Sequence, residues 1–236
     1  GSTPTRPGRR PIPSGPAEGG ASRARTVEPM AVMPMFPLGS VLLPGGILPL
    51  HVFEPRYRQM VIDCLQADGT PEFGQALITH GREAGGGDER SDIGTVAQML
   101  QVEAIDAERY AIVAVGVRRI RINAWLPDDP YPMADVDDFP DVEPDPPDLA
   151  LHVAATHARV RAALALASEL GEAEGDLGDS EISDDPLVAT YHLASLAPIG
   201  PADRYRLLAA EGPADRLELL DSVLDDVEAA MKFRLS

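Results

Sequence analysis

From Met33 to Ile122 the apolar residues come in short runs or in alternation with polar ones, and Pro, Gly, Asp or Thr closes most of these runs. That pattern belongs to strands joined by turns. Met33–Phe36 and Ile47–Phe53 predict two short strands, and Phe73–His80 (FGQALITH) predicts a third after the Thr70-Pro71 turn. Ile93–Ile105 predicts a long strand, Asp106–Arg109 a turn, and Tyr110–Ile122 the returning arm of a long hairpin. In that arm Ile120 and Ile122 alternate with Arg119 and Arg121, the period of two that gives one buried and one wet face. Gly116 marks an expected bulge or sharp bend. One helix interrupts the strands: Pro55 fits its first turn, Tyr57, Met60, Val61 and Leu65 recur at helical spacing, and Gly69 stops it. Strand segments continue to Val136 without regular alternation with helices, which disfavours a doubly wound parallel sheet and favours a small barrel or curled sheet.

Beyond Asp148 the period changes. Leu149, Val153, Val160, Leu164 and Leu170 make one helical stripe, with Asp148 as the expected N-cap and Gly171 as the stop. After an acidic, Gly-containing linker, Asp184 or Asp185 with Pro186 starts a short helix through Leu196, and Gly200-Pro201 and Gly212-Pro213 each open another. In the last helix Leu217, Leu220, Leu224, Val227 and Met231 form a seam that needs a partner helix. GPADRYRLL (200–208) and GPADRLELL (212–220) match, and two similarly started helices account for the match without a repeat architecture. The chain thus divides into a Pro/Gly/Ser/Arg-rich leader expected to be disordered (1–30, with GS as a tag remnant), a β subdomain (31–140) and a helical subdomain (146–235).

With 236 residues the chain can bury a full core without metal or disulfide, and its single cysteine, Cys64, is expected as a buried, inert thiol. No apolar run approaches the roughly 20 residues of a membrane-spanning helix, because Pro37, Gly39, Pro44, Gly45, Gly46 and Pro49 interrupt the most apolar segment. A soluble cytoplasmic protein without membrane contact is therefore expected. The net charge of -18 is concentrated in two stretches without a basic residue, Leu126–Ala150 and Leu166–Leu187. Nucleic-acid affinity comes mainly from neutralised phosphates, so a body this acidic is a poor candidate for it. Arg118, Arg119 and Arg121 form the one dense basic patch of the body, and their alternation with Ile reads as a solvated strand face.

Catalytic motifs fail one after another. Lys232 is the only lysine and has no glycine-rich loop before it, which excludes a P-loop and argues against a Ser-Lys dyad. No serine stands in a G-x-S-x-G frame. His152 and His157 are five residues apart, on different helical faces, and H-E-x-x-H is absent, so no metal site is expected. His51 and His80 lie in strand patterns and read as sheet histidines. No catalytic residue and no cofactor is assigned. A hydrolase with a site unlike these motifs remains the alternative from another class.

FPLGSVLLPGGILPLHVFEPRYRQMV (36–61) resembles the start of the amino-terminal, substrate-binding domain of the Lon protease family. The elements of that start fall on Phe36, Pro37, Leu38, Pro44, Gly45, Leu48, Pro49, Leu50 and Phe53–Tyr57, and HVFEPRYR resembles stand-alone bacterial members. IGTVAQMLQVEAIDAERYAIVAVGVRRIRI (93–122) is similar to the family's long hairpin, and residues 191–227 to its helical end. The resemblance implies an α+β fold: a PUA-like β pseudo-barrel, mostly antiparallel with one inserted helix, followed by a C-terminal helical bundle. It also implies a binding module without the ATPase and protease parts of Lon, engaging exposed segments of unfolded or client polypeptides and cooperating with a protease or chaperone. RNA binding, by analogy with other PUA-like domains, is the remaining alternative and needs a basic groove. Peptide capture has two physical routes here, strand addition to a half-open barrel and a groove between barrel and bundle. The candidate peptide-binding residues are those of the strand-to-helix corner: Phe53, Glu54, Arg56, Tyr57 and Arg58. The same corner also reads as structural, with Glu54 and Arg56 bracing it and Phe53 and Tyr57 packed inward, and this is the favoured reading of the two.

Overall fold

The computed structural model describes residues 31–81, 89–142, 147–172 and 182–235. The leader expected over 1–30 and the middle of the acidic linker, 173–181, lie outside them. In chain order the elements are β1 (Ala31–Leu38), β2 (Ile47–Val52), α1 (Pro55–Gln66), β3 (Glu72–His80), β4 (Glu89–Ala104), β5 (Tyr110–Trp125), β6 (Met133–Asp138), α2 (Leu149–Glu169), α3 (Pro186–Leu196), α4 (Pro201–Ala209) and α5 (Pro213–Leu235). The strand-then-helix order matches the sequence pattern. β4 starts earlier than its apolar run, because the polar segment at Glu89 and Arg90 pairs with His80 and Ile78 of β3.

Strands run in the order β2-β5-β4-β3-β1-β6, and β6 pairs with β5 as well as β1. β5, β4, β3, β1 and β6 therefore close into a circuit, with β2 added outside it on the first half of β5. All pairs are antiparallel except β1 with β3. Both faces of the second half of β1, from Met35 to Leu38, are buried. Met35 packs with Ala76, Val96, Ile120, Ile122, Ala134 and Val136, while its neighbour Phe36 packs with Phe73, Met99 and Ile112 and with Tyr57, Met60 and Val61 of α1. Leu65, in the expected stripe of α1, is instead half-exposed.

A bulge redirects β5. Val96 opposes Arg118 but Ala97 opposes Gly116, which leaves Val117 unpaired where β5 passes from β2 to β6. Gly116 also receives the turn before β2: it accepts from Gly45 N at 2.8 Å and donates to Gly46 O at 2.9 Å. A Cβ at 116 would lie 2.4 Å from the carbonyl oxygen of Leu43, so no other residue fits this close approach.

The helices pack α5 along α2 and α3, with Leu217, Leu220 and Leu224 against Val160, Ala163, Leu164 and Leu193. At the rim Asp221 of α5 accepts from Thr156 and Arg159 of α2 and pairs with His152 at 2.8 Å. Asp185 caps α3 by accepting from Leu187 N at 2.9 Å. Asp148 stands at the N-cap of α2 but makes no capping bond, and buried Leu149 anchors that end instead. The paired GPADR segments have a shared structural use. Arg204 donates to the carbonyls of Ala194 and Ala197 at the end of α3, and Arg216 donates to that of Leu207 near the end of α4. Each arginine thus caps the preceding helix at its negative end. The bundle core takes in Val41, Leu43, Ile93 and Phe139 from the barrel side, so one continuous apolar cluster crosses the junction.

Gly116→Ala is expected to lower stability by roughly 2 kcal/mol or more through overpacking. Gly200→Ala, where an added Cβ has nothing within 4 Å, is expected to cost less than about 1 kcal/mol. Denaturant midpoints of the two variants, compared side by side, check this difference.

Candidate functional site

The five corner residues divide between structure and surface. Tyr57 is buried and stacks on Phe36 with ring centroids 4.1 Å apart. Arg56 pairs with Glu54 at 3.1 Å, lies near Asp128 at 3.8 Å and sits over the Tyr57 ring. Arg58 donates to the carbonyl of Ala107 in the β4–β5 turn at 2.6 Å. Phe53, at 64% exposure, presents its ring to the surface. It borders a cavity of about 190 Å³ that lies between β1 and β2 and is lined also by Leu38, Leu50 and Val52.

This seam between strands is a poor acceptor for an added strand. Met35 N donates to Pro132 O, and Gly116 N to Gly46 O. Backbone alternation from those bonds turns Pro37 of β1 and Pro49 of β2 toward the seam. Neither has an N–H to offer an incoming chain.

The larger concavity, about 450 Å³, lies at the junction of barrel and bundle. Pro44, Gly45 and Gly116 form its barrel wall, Val117, Phe139 and Pro140 one side, and Leu187 and Val188 of α3 the other. Its polar lining is Arg118, Arg119, Asp141 and Tyr191. The last three belong to a buried network. Asp141 Oδ1 accepts from Arg119 at 2.8 Å and from Arg216, and Oδ2 accepts from the Tyr191 hydroxyl at 2.8 Å. Arg119 also donates to the carbonyls of Leu208 and Ala210 after crossing from β5 to the end of α4, and Arg216 reaches Thr190 at 2.7 Å and lies 3.7 Å from the Tyr191 ring centroid. Burial holds the Tyr191 phenol well above its ordinary value, against the pull of the two guanidiniums, so it remains a donor to Asp141. Burial likewise lowers Arg119, the Tyr191 and Asp141 contacts opposing it and Arg216 adding to it.

The solvated face expected for the arginines holds for Arg118 and Arg121, which are exposed, and fails at Arg119. Arg119 is buried, with 1% of its side chain exposed, because the end of α4 covers that part of β5. Arg118 pairs with Glu72 and Asp138 across the sheet, and Arg121 lies 4.5 Å over the Phe139 ring. The patch that RNA binding needs is thus divided among the interior, ion pairs and an aromatic face.

Residues 32–226 match the family described as the ATP-dependent protease La (LON) substrate-binding domain. The chain belongs to this family. A Lon N-terminal domain protein from Xanthomonas campestris has a crystal structure similar over 82% of this chain and 98% of that one, with a TM-score of 0.60 and 26% identity. The N-terminal domain of Mycobacterium avium complex Lon protease shares the fold at a TM-score of 0.59 and 19% identity, over 83% of this chain and 98% of that one. Lon protease 2 of Myxococcus xanthus is 30% identical over 110 residues, which are 45% of this chain and 13% of that protein. Lon protease of Anaeromyxobacter dehalogenans is 28% identical over 105 residues, 43% of this chain and 12% of that protein. The chain therefore corresponds to a small part of these curated relatives.

In this LON substrate-binding domain, sequence reasoning placed a groove between barrel and bundle but missed the residues that line it. Val117, Phe139, Leu187 and Val188 lie in three separate stretches of sequence, and their only local signal was an apolar residue at a bulge, just past a strand end or at a helix start. Among the described residues no group of His, Cys, Asp and Glu has the arrangement of a metal site, and no helix is long and apolar enough to cross a membrane. Cys64 is buried beside a third concavity of about 230 Å³, donates to the Glu72 carbonyl at 3.4 Å, and is pushed up to about 11 by burial and by Asp63.

Asp141→Asn leaves two buried guanidiniums without their counter-charge and is expected to destabilise the domain by about 3–5 kcal/mol, read as a lowered denaturation midpoint. Cys64 is expected to resist iodoacetamide at pH 8 in the native protein and to react fully in denaturant, as mass spectrometry of the alkylated chain would record.

Proposed function

We propose that this domain is a non-catalytic recognition module that holds exposed apolar segments of unfolded or client polypeptides, and acts as an adaptor in protein quality control alongside a protease or chaperone. The observation that carries this reading is the junction groove: an apolar concavity of about 450 Å³ at the meeting of two subdomains, with a few convergent polar groups at its inner end. The family description supports it in the same direction, since it names a substrate-binding domain. The groove suits side chains rather than an added strand, and the prolines facing the β1–β2 seam point the same way. Exposed Phe53, some distance along the chain from the groove lining, supplies a second apolar contact for a longer segment. Tyr57, Glu54, Arg56 and Arg58 then serve the module by holding the corner on which Phe53 stands.

The test is retention of a reduced, alkylated globular protein on immobilised domain, against the same protein in its native fold. Preferential retention of the unfolded form is expected, weakened roughly tenfold by Val117→Asp at the groove mouth and less by Phe53→Ala. Equal retention of both forms, or no response to Val117→Asp, would sink this reading.

A further inference from the structure

We propose that the open edge of β4 takes up an extended polypeptide segment with an apolar, basic, apolar alternation and adds it to the sheet as a further strand. This rests on reading the domain as a recognition module, but on none of the groove residues. β3 accompanies β4 only as far as Glu72 opposite Gln98, and its side of β4 closes with the bond from Met99 N to Pro71 O. Beyond that bond β4 continues to Ala104 with β5 on one side and, among the described residues, no strand on the other. No proline guards this stretch, in contrast to Pro37 and Pro49 at the β1–β2 seam.

The ladder fixes the direction of the backbone groups. Gly116 N donates to Gly46 O, so Ala114, Ile112 and Tyr110 of β5 face β2, while Val113 and Ala111 face β4. Their partners on β4 are Gln101 and Glu103. Val102 and Ala104 therefore aim their N–H and C=O groups away from β5, where neither has a backbone partner among the described residues. The bulge between Met99 and Gln101 accounts for Met99 N facing that same side. Gln101, Glu103 and Ala104 are exposed, so this edge is open to solvent. Four aligned backbone groups on an open edge form a template for an extended chain.

The side chains around the edge set the sequence it accepts. Val102 packs with the cluster that includes α1, so Val102 and Ala104 share the face of the sheet that α1 covers. α1 runs along this edge: Arg58 donates to Ala107 O in the hairpin turn, and the chain leaving α1 reaches Met99 at Pro71. Tyr57, Met60 and Cys64 face the sheet and Asp63 turns away to Tyr131, which puts Arg58, Ile62 and Leu65 on the β4 side. Leu65 is 50% exposed and Ile62 half-buried, leaving apolar surface for two residues of an added strand. The residue between those two points to the other face, beside Glu103. Gln101 donates to Glu103 at 2.7 Å but brings no charge, and Arg109 is held by Asp106 in the turn. A basic residue is the matching partner. The same carboxylate disfavours a second copy of this chain. A two-fold pairing that uses all four backbone groups sets Val102 opposite the second copy's Ala104, and Glu103 opposite itself.

A ¹H–¹⁵N NMR titration of the domain with pentapeptides tests the proposal. The probes are Thr-Val-Lys-Val-Thr, its analogue with Glu in place of Lys, and the Lys peptide N-methylated at both valines. The Lys peptide is expected to shift the Val102 and Ala104 amides, to bind roughly fivefold more tightly than the Glu peptide, and roughly tenfold or more tightly than the methylated one. Glu103→Lys is expected to reverse the order of the Lys and Glu peptides. Ala104→Pro, which removes an N–H that β5 does not use, is expected to abolish binding, and Val117→Asp in the groove to leave it unchanged. Should Ala104→Pro fail to fold by circular dichroism, Glu103→Lys decides. Equal binding of the Lys and methylated peptides would overturn strand addition. Loss of binding in Val117→Asp without a response to Glu103→Lys would place the peptide in the groove and overturn the edge site. A concentration-dependent dimer in sedimentation that Ala104→Pro dissolves would overturn the choice of occupant. If no peptide binds while the unfolded protein is still retained through the groove, the edge site falls and the recognition reading stands; if neither is held, both fall.

Discussion

Asp141 lies just beyond the barrel and accepts from β5 through Arg119, from α5 through Arg216 and from α3 through Tyr191. Each of these side chains would be costly to bury alone, because a charged or phenolic group loses its hydration in the interior. Together they satisfy one another, and the carbonyls at the end of α4 take most of the remaining donors. Any change in the angle between barrel and bundle would strand at least one buried charge. The groove that lies over this network inherits its shape from that requirement, since its walls come from both sides of the junction.

The Pro/Gly-rich stretch before α1 acts at the same junction from the other side. Gly45 and Gly46 bring the turn before β2 close enough to Gly116 for a pair of backbone bonds, and Leu43 from this stretch enters the bundle core. The bulge at Val117 belongs to the same contact, because β5 must change partners where that turn docks. Residues that build the barrel turn therefore also build one wall of the groove. Pro37 and Pro49 act elsewhere, at the open seam. There they withhold N–H groups, which protects the two short edges from pairing with another chain.

The helical half is tied to itself by arginines of similar logic. Arg204 and Arg216, at equal positions in the two GPADR segments, each reach back to the carbonyls that end the preceding helix. Only Arg216 is recruited further, by Asp141, Thr190 and Tyr191. The difference follows from place, since α5 lies next to the junction and the start of α4 does not carry its arginine to Asp141. The groove between two such braced halves takes its walls from both of them.

Elements were legible along the chain because their causes are local. Alternation in β5, helical spacing in α1 and α5, and Pro or Gly at the element ends each depend on residues a few positions apart. The resemblance carried by FPLGSVLLPGGILPLHVFEPRYR extended this to the fold, which the closed strand circuit and the helical half then matched. What the tertiary structure alone decided was which surfaces stay open. Alternation puts Arg119 on the outward face of β5, but the carbonyls that bury it belong to residues about ninety positions later, Leu208 and Ala210. Phe53 and Tyr57 are both aromatic and four residues apart, yet Tyr57 on α1 turns onto Phe36 while Phe53, ahead of the helix, stays in solvent. Periodicity fixes the direction of a side chain relative to its own element, whereas burial depends on what the rest of the chain brings to that face.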